Sequence, residues 1–354
     1  MDAHGPPGCE DEVRSVIIDE LQNFVDEISI DPLGNIVCKK SGITKDPKIM
    51  LCAHMDEVGL FVKYISNEGF IFFEKYGWID DRILPAQWVI IHSKKGPVRG
   101  VIGIKAKHLL TSEDLTKPLS YRDMWIDIGA RNKSDVEELG VTPGDPITFD
   151  RNLQEIGKGF IVGRALDNRL GCAVLIQSMK ELAKLEHEST VFGVASVLEE
   201  VGARGAKTAA YEINPDIAIA LDTTFGIDPA VTPKLSAIEL GKGPAVRLMD
   251  IYEPNLQGCL TPFWIKELVF KTAQEEKIPY QIDISSHTFL DSSTIHTVGE
   301  GIPSLGILTP RRNAHAPAEV AHIDDVKNAI CLVVAIIKRL NGEVISKYRY
   351  KRLK

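Results

Sequence analysis

Thr190 to Glu200 reads "TVFGVASVLEE", a run of small and β-branched residues that ends in two adjacent acids. Near-continuous apolarity of this kind marks a strand buried on both faces, which in turn implies a parallel sheet covered by helices. Working outward, "KIMLCA" before His54, "DIAIALD" ending at Asp222 and "IPSLGIL" before Arg311 read as further buried strands. Between them lie helical stretches. "DNRLGCAVLIQSMKELAKL" begins beside Asp167, "TPFWIKELVFKTAQEEK" has Thr261 as its N-cap, and "DDVKNAICLVVAIIKRLNG" stops at Asn341-Gly342. The pattern predicts an α/β fold with a mostly parallel sheet flanked by helices.

One segment breaks the alternation. From 64 to 157 the chain turns to short strand-like runs ("GFIFFEKY", "WVIIHS", "VRGVIGI", "MWIDIGA", "DPITF") divided by turn residues. Such spacing predicts a small antiparallel barrel or sandwich inserted into an α/β domain made of residues 1–63 and 158–354. Within it, "YGWIDDRILPAQW" offers Trp78, Ile79, Ile83, Leu84 and Trp88 as an apolar surface for self-association.

Composition narrows the function classes. Hydrophobic residues make up 44% of the 354 and the net charge is −8, so the basic footprint needed for nucleic acid is missing. No run approaches the roughly 18 apolar residues of a membrane span, and "MDAHGPPGCEDEVR" lacks the features of a signal peptide. The expected location is cytoplasmic. Six scattered cysteines without a CxxC pair suggest neither a disulfide framework nor a zinc knuckle.

In open α/β sheets, sites collect beyond the C-terminal ends of the strands. His54, Asp167, Glu199, Glu200, Asp222 and His315 all fall there. Two imidazoles and several carboxylates form a ligand set that zinc, cobalt and manganese accept. Neighbouring residues on an extended strand point to opposite sides, so Glu199 and Glu200 should divide the labour. One would bind metal while the other takes a proton from a metal-bound water. His4, His92, His187 and His322 read as surface or cap residues.

At these residues the chain resembles the M42 metallo-aminopeptidases, which include tetrahedral and glutamyl aminopeptidases. The likeness runs through "GPPGCEDEVR", "AHMDEVG", "DIGA", "ELGVTPGD", "RALDNRLGCA", "EEVGARGA", "LDTT" and Pro310–Pro317, almost the whole chain. It implies a fold of the binuclear zinc exopeptidase type and two divalent ions per chain, zinc or cobalt with manganese as an option. Asp167 would bridge them, with Glu200 and His315 on one ion and His54 and Asp222 on the other. Glu199 would be the general base, and Asp56 the acid that orients a ligand histidine. Peptides would be the substrates, cleaved at the N-terminus, and the chains would pair into dimers and a tetrahedral dodecamer through the insertion. Where relatives commonly have "GTDA" and "RYIH", this chain has "FLDSS" and "RNAH", departures that bear on substrate preference.

Other classes compete. A metal-dependent amidohydrolase or deacylase of small N-acylated amino acids would use the same ligands. A glycosidase needs two carboxyls about 5 to 9.5 Å apart and leaves the histidines without a task. A non-catalytic assembly protein would not need the full ligand set.

Overall fold

The protein is described by a computed structural model over residues 1–231, 234–254 and 256–348; the end of the α/β segment, 349–354, lies outside the described residues. Four long apolar runs form the parallel heart of a twelve-stranded sheet, in the order Thr190–Ser196, Lys48–His54, Ile217–Phe225, Ser304–Arg312. Their side chains are buried almost throughout, as strands covered on both faces require. The edges are antiparallel. Ile36–Lys40 and Glu27–Ile30 extend one side, while Glu319–His322, Phe160–Gly163 and Gln154–Ile156 extend the other. The sheet as a whole is therefore mixed, and its parallel character is confined to the centre.

Helix Leu166–Leu182 packs on one face beside helix Ile323–Arg339, joining Ile17, Leu51, Leu175 and Leu332 in the main core. Helix Arg204–Ile213 covers the other face, with Ala206, Ala209 and Ala210 against Met50 and Val194. A three-stranded flap, Ala245–Tyr252 with Gln257–Leu260 and Gln281–Ser285, hangs on Ser304–Arg312. The helix Phe263–Glu275 has Pro262, not Thr261, at its N-cap, because the Thr261 hydroxyl donates instead to the Arg247 carbonyl at 2.8 Å.

The inserted segment closes into a six-stranded barrel around its own core of Leu60, Val62, Phe73, Ile91 and Ile126. Its limits differ from the sequence boundaries at 64 and 157. Gly59–Ile65 pairs with Ile71–Tyr76 and Pro146–Phe149, so the barrel starts at 59, and Gln154–Ile156 belongs to the large sheet. The composition shift lags because the first barrel strand is as apolar as the sheet strand before it. Of the five residues proposed as a self-association surface, Ile79 and Leu84 lie in the barrel core and Ile83 packs against it, leaving Trp78 and Trp88 exposed. Among the histidines, His187 is buried with Nδ1 on the Ser189 carbonyl, and His4 and His92 flank Thr148 inside the domain junction. The surface reading fails for His187, while His4 and His92 are half-buried and His322 does cap a helix.

At the junction Glu57 is buried between two guanidiniums. It accepts from Arg164 and Arg169 and from the Gly5 amide at 2.9 Å, tying the N-terminus to the residues that precede the barrel. Glu57→Ala would leave two buried cations without their shared partner. The expected loss is about 3–5 kcal/mol, seen as a lowered thermal midpoint; an unchanged midpoint would refute the anchoring role.

Candidate metal centre

The sheet opens where two of its central strands part. Lys48–His54 and Ile217–Phe225 pair only as far as Cys52 opposite Ala220, after which Ile217–Phe225 follows Ser304–Arg312 alone. Asp222 thus lies inside its strand and not at the end, since Thr223 to Phe225 keep partners in Thr309 to Arg311. His54 ends its own strand on the far side of the gap.

The adjacent acids are placed by a turn. The strand stops at Ser196, Leu198 adopts φ +60, and the Glu199 carbonyl accepts from the amides of Gly202 and Ala203 at 2.8 and 2.9 Å. Behind the turn, the Asp56 carboxylate accepts from the Glu199 amide at 3.0 Å and the Glu200 amide at 3.1 Å. Asn35 pins the rest of "EEVGARGA": its Oδ1 accepts from Val197 N and its Nδ2 donates to the Gly205 carbonyl. A Cβ on Gly205 would sit 2.2 Å from Asn35 Oδ1, so a side chain does not fit there. The strand pleat therefore does not separate the two acids, because neither is on the strand. Both face one cavity, close enough that His54, Glu199 and Glu200 could together reach one ion. What distinguishes them is their neighbour: Glu199 Oε2 lies 3.8 Å from His54 Nε2, and Glu200 Oε2 lies 3.7 Å from His315 Nε2.

Asp167, just inside the helix Leu166–Leu182, stands between the two histidines. Its Oδ1 is 3.3 Å from His54 Nε2 and its Oδ2 is 3.2 Å from His315 Nε2. Asp222 Oδ1 is 3.7 Å from His54 Nε2. Two groups, His54 with Asp167 and Asp222, and Asp167 with Glu200 and His315, each hold ligand atoms within 4.8 Å of one another. Asp167 Oδ1 and Glu200 Oε1 are buried without a hydrogen-bond partner, the condition of atoms that a cation would satisfy. Backbone carbonyls hold the other ring nitrogens: His54 Nδ1 donates to the Asp56 carbonyl and His315 Nδ1 to the Trp78 carbonyl, both at 3.2 Å. A carbonyl only accepts, so both rings turn Nε2 to the carboxylates. The Asp56 carboxylate is 3.6 Å from His54 Nδ1, so its firmer contacts are with the acid turn.

The electrostatics are those of crowded buried acids. Burial pushes Glu199 well above the usual carboxylate range, opposed by His54 and helped by Glu200 and Asp222. Burial also raises Glu200, to about 8. Burial works against charge on His54, yet Glu199 and Asp222 hold its pKa well above the ordinary histidine value. His315 is likewise raised, to about 9, because Glu200 and Asp167 outweigh burial. Asp167 goes the other way: the Arg311 guanidinium overcomes burial and keeps it ionised.

Three participants escaped sequence reasoning. Arg311 donates to Asp167 Oδ2, and Glu319 accepts from the amides of Asp167 at 2.9 Å and His315 at 2.8 Å while pairing with Arg311. Glu319 follows His315 by four residues and opens the strand Glu319–His322, a spacing that could have marked it. Trp78, from the barrel, carries no signal in sequence, since its carbonyl and not its side chain makes the contact.

A cavity of about 510 Å³ opens over this cluster and continues past Trp78, Thr224, Tyr252 and Thr288. Among the described residues no helix is long and apolar enough to cross a membrane.

Comparison with known proteins finds relatives over almost the whole chain. The profile of the M42 glutamyl aminopeptidase family matches residues 34–332. The lysyl aminopeptidase of Pyrococcus furiosus is 32% identical over 330 residues, 93% of this chain and 91% of that one. Aminopeptidase APDkam598 of Desulfurococcus kamchatkensis superposes with a TM-score of 0.93 at 36% identity, covering 99% of this chain and 96% of that chain. The TET1 peptidase of Pyrococcus horikoshii, which can assemble into a tetrahedron or a large octahedral shell, superposes at 0.84 with 31% identity over 95% and 96% of the two chains.

Ligation by these two would require a deprotonated Glu200 and a neutral His315, whereas burial raises Glu200 and the neighbouring acids raise His315. Cation binding should therefore release protons and tighten as pH rises from 6 to 9. Titration calorimetry in buffers of different ionisation enthalpy measures this; pH-independent affinity without proton release would refute it.

Proposed function

Since the chain belongs to the M42 glutamyl aminopeptidase family, we propose that it is a metal-dependent aminopeptidase that removes N-terminal residues from peptides. The observation that carries this reading is the pair of ligand groups sharing Asp167, whose two carboxylate oxygens face different histidines. His54, Asp167 and Asp222 would hold one divalent ion, and Asp167, Glu200 and His315 a second. Such ions, zinc or cobalt with manganese as an option, supply Lewis acidity toward the scissile carbonyl and lower the pKa of water.

The chain's own residues do the rest. Glu199, buried beside His54 and free of a hydrogen bond to the Asp56 clamp through its side chain, accepts the proton of the attacking water and returns it to the leaving amine. Asp56 positions it by accepting from the amides of both acids. The carboxylate-rich centre suits a free α-amine, which confines cleavage to chain ends. Glu319 and Arg311 fix Asp167 from behind.

Self-association is part of the proposal. By analogy with the TET1 peptidase, the chains would pair into dimers and a tetrahedral dodecamer, with the barrel at the interface and exposed Trp88 on its surface. The N-acyl amino acid reading uses the same centre, and substrate choice separates the two.

Metal-free protein reconstituted with zinc, cobalt or manganese should hydrolyse aminoacyl chromogens and spare their N-acylated counterparts; the opposite preference would refute the aminopeptidase reading. Glu199→Gln should keep its metal content while losing about 100-fold or more in kcat, whereas Glu200→Gln should lose metal. Equal metal content with equal residual activity would sink the division of roles. Light scattering should show a particle far heavier than the 39.1 kDa chain, and a strictly monomeric active enzyme would overturn the assembly.

A further inference from the structure

Behind the part of the cavity wall formed by Thr224 and Thr288, two buried carboxylates share one guanidinium. Arg247, fully buried on the flap strand Ala245–Tyr252, donates through Nε to Asp283 Oδ2 at 2.9 Å and through Nη1 to Asp250 Oδ1 at 2.7 Å. Among the described residues no second cation pairs with either acid. The cluster therefore carries one negative charge that its own members do not balance, in a place where water screens little.

Two threonines carry that charge to the cavity surface. Thr224 donates its hydroxyl proton to Asp283 Oδ2 at 2.7 Å, and Thr288 donates to Asp250 Oδ1 at 2.5 Å. Both residues line the cavity. Arg247 donates in turn to both, through Nη1 to Thr288 Oγ1 and through Nη2 to Thr224 Oγ1 at 3.0 Å, and since a hydroxyl has a single proton, each is left with one lone pair and no donor. A wall of acceptors backed by net negative charge receives a donor cation and repels a carboxylate. Trp78 and Tyr252, edge to face at 5.6 Å, flank the same space with apolar surface for an aliphatic stem.

The other charged groups on the cavity do not reverse this. Arg311 is already bonded to Asp167 and paired with Glu319, and His287 lies at the exposed rim. We infer that the side-chain pocket selects basic N-terminal residues, lysine and arginine, through the unbalanced charge of Asp250 and Asp283 transmitted by Thr224 and Thr288. This rests on the aminopeptidase reading and adds the substrate class to it; the family is named for glutamyl substrates and one relative for lysyl, and the inference is argued from this chain's residues.

The test is a panel of lysyl, arginyl, leucyl and glutamyl p-nitroanilides on the intact metal-loaded enzyme. The kcat/KM for lysyl and arginyl substrates should exceed that for leucyl and glutamyl on the order of tenfold. Asp250→Asn removes the unbalanced charge, so its lysyl-to-leucyl ratio should fall and its glutamyl-to-leucyl ratio should rise. Thr288→Val, at the cavity surface, should shift the ratios the same way if the buried variant does not fold. General structural damage lowers all four substrates together. Glutamyl turnover equal to or above lysyl in the wild-type enzyme, or variant ratios that stay fixed, would overturn the inference. No turnover of any aminoacyl substrate would overturn the aminopeptidase reading, and this inference with it.

Discussion

Carboxylates buried side by side repel one another, and the structure is organised around that repulsion. Asp167, Glu199, Glu200 and Asp222 meet at the gap between two strands, with His54, His315 and Arg311 as the cations among them. The consequence is visible in their protonation: burial and mutual charge push Glu199 and Glu200 up, while only Asp167, beside Arg311, stays low. Such a cluster favours the uptake of protons or of cations between its members. The surrounding fold accordingly spends its most specific contacts on holding the acids still: Asp56 on the amides of Glu199 and Glu200, Glu319 on the amides of Asp167 and His315, Asn35 on the turn beyond. Each is a buried polar group satisfied by backbone, which fixes position more firmly than a side-chain pair would.

The barrel enters this arrangement from outside the sheet. Its Trp78 carbonyl sets the ring orientation of His315, and its indole stands against Tyr252 of the flap across the cavity. Three parts of the chain therefore meet at one centre: strand ends of the sheet, a loop of the barrel, and the flap. Glu57, held between Arg164 and Arg169, fixes the junction between sheet and barrel. A role for the barrel in self-association and its hold on His315 are compatible, because Trp88 faces solvent elsewhere on the same barrel while Trp78 faces the cavity.

Much of this was legible in sequence, and the failures share a cause. Strand identity could be read because apolar runs report burial directly, and the candidate ligands because they follow those runs. The placement of Asp222 was misjudged, since strand length depends on the partner strand Ser304–Arg312 and not on local composition. Glu199 and Glu200 were assigned to a pleat that ends at Ser196; the positive φ of Leu198, which turns the chain, leaves no trace in a leucine. Arg311 and the Trp78 carbonyl act across 144 and 237 residues of sequence separation. Contacts of that range depend on how elements pack, which a single sequence encodes only through the whole fold.

The same distinction explains where selectivity resides. Catalytic residues must touch the reacting atoms, so their types are constrained and easily recognised. A charge that steers a substrate side chain can act from one layer back, through hydroxyls that bind it to the cavity surface, and its residues then look like ordinary buried polar groups. Arg247, Asp250 and Asp283 sit on the flap, which hangs on a single strand of the sheet and contributes nothing to the cluster around Asp167. The charge balance of that layer can therefore change by one substitution in a part of the fold that supplies none of the side chains around Asp167.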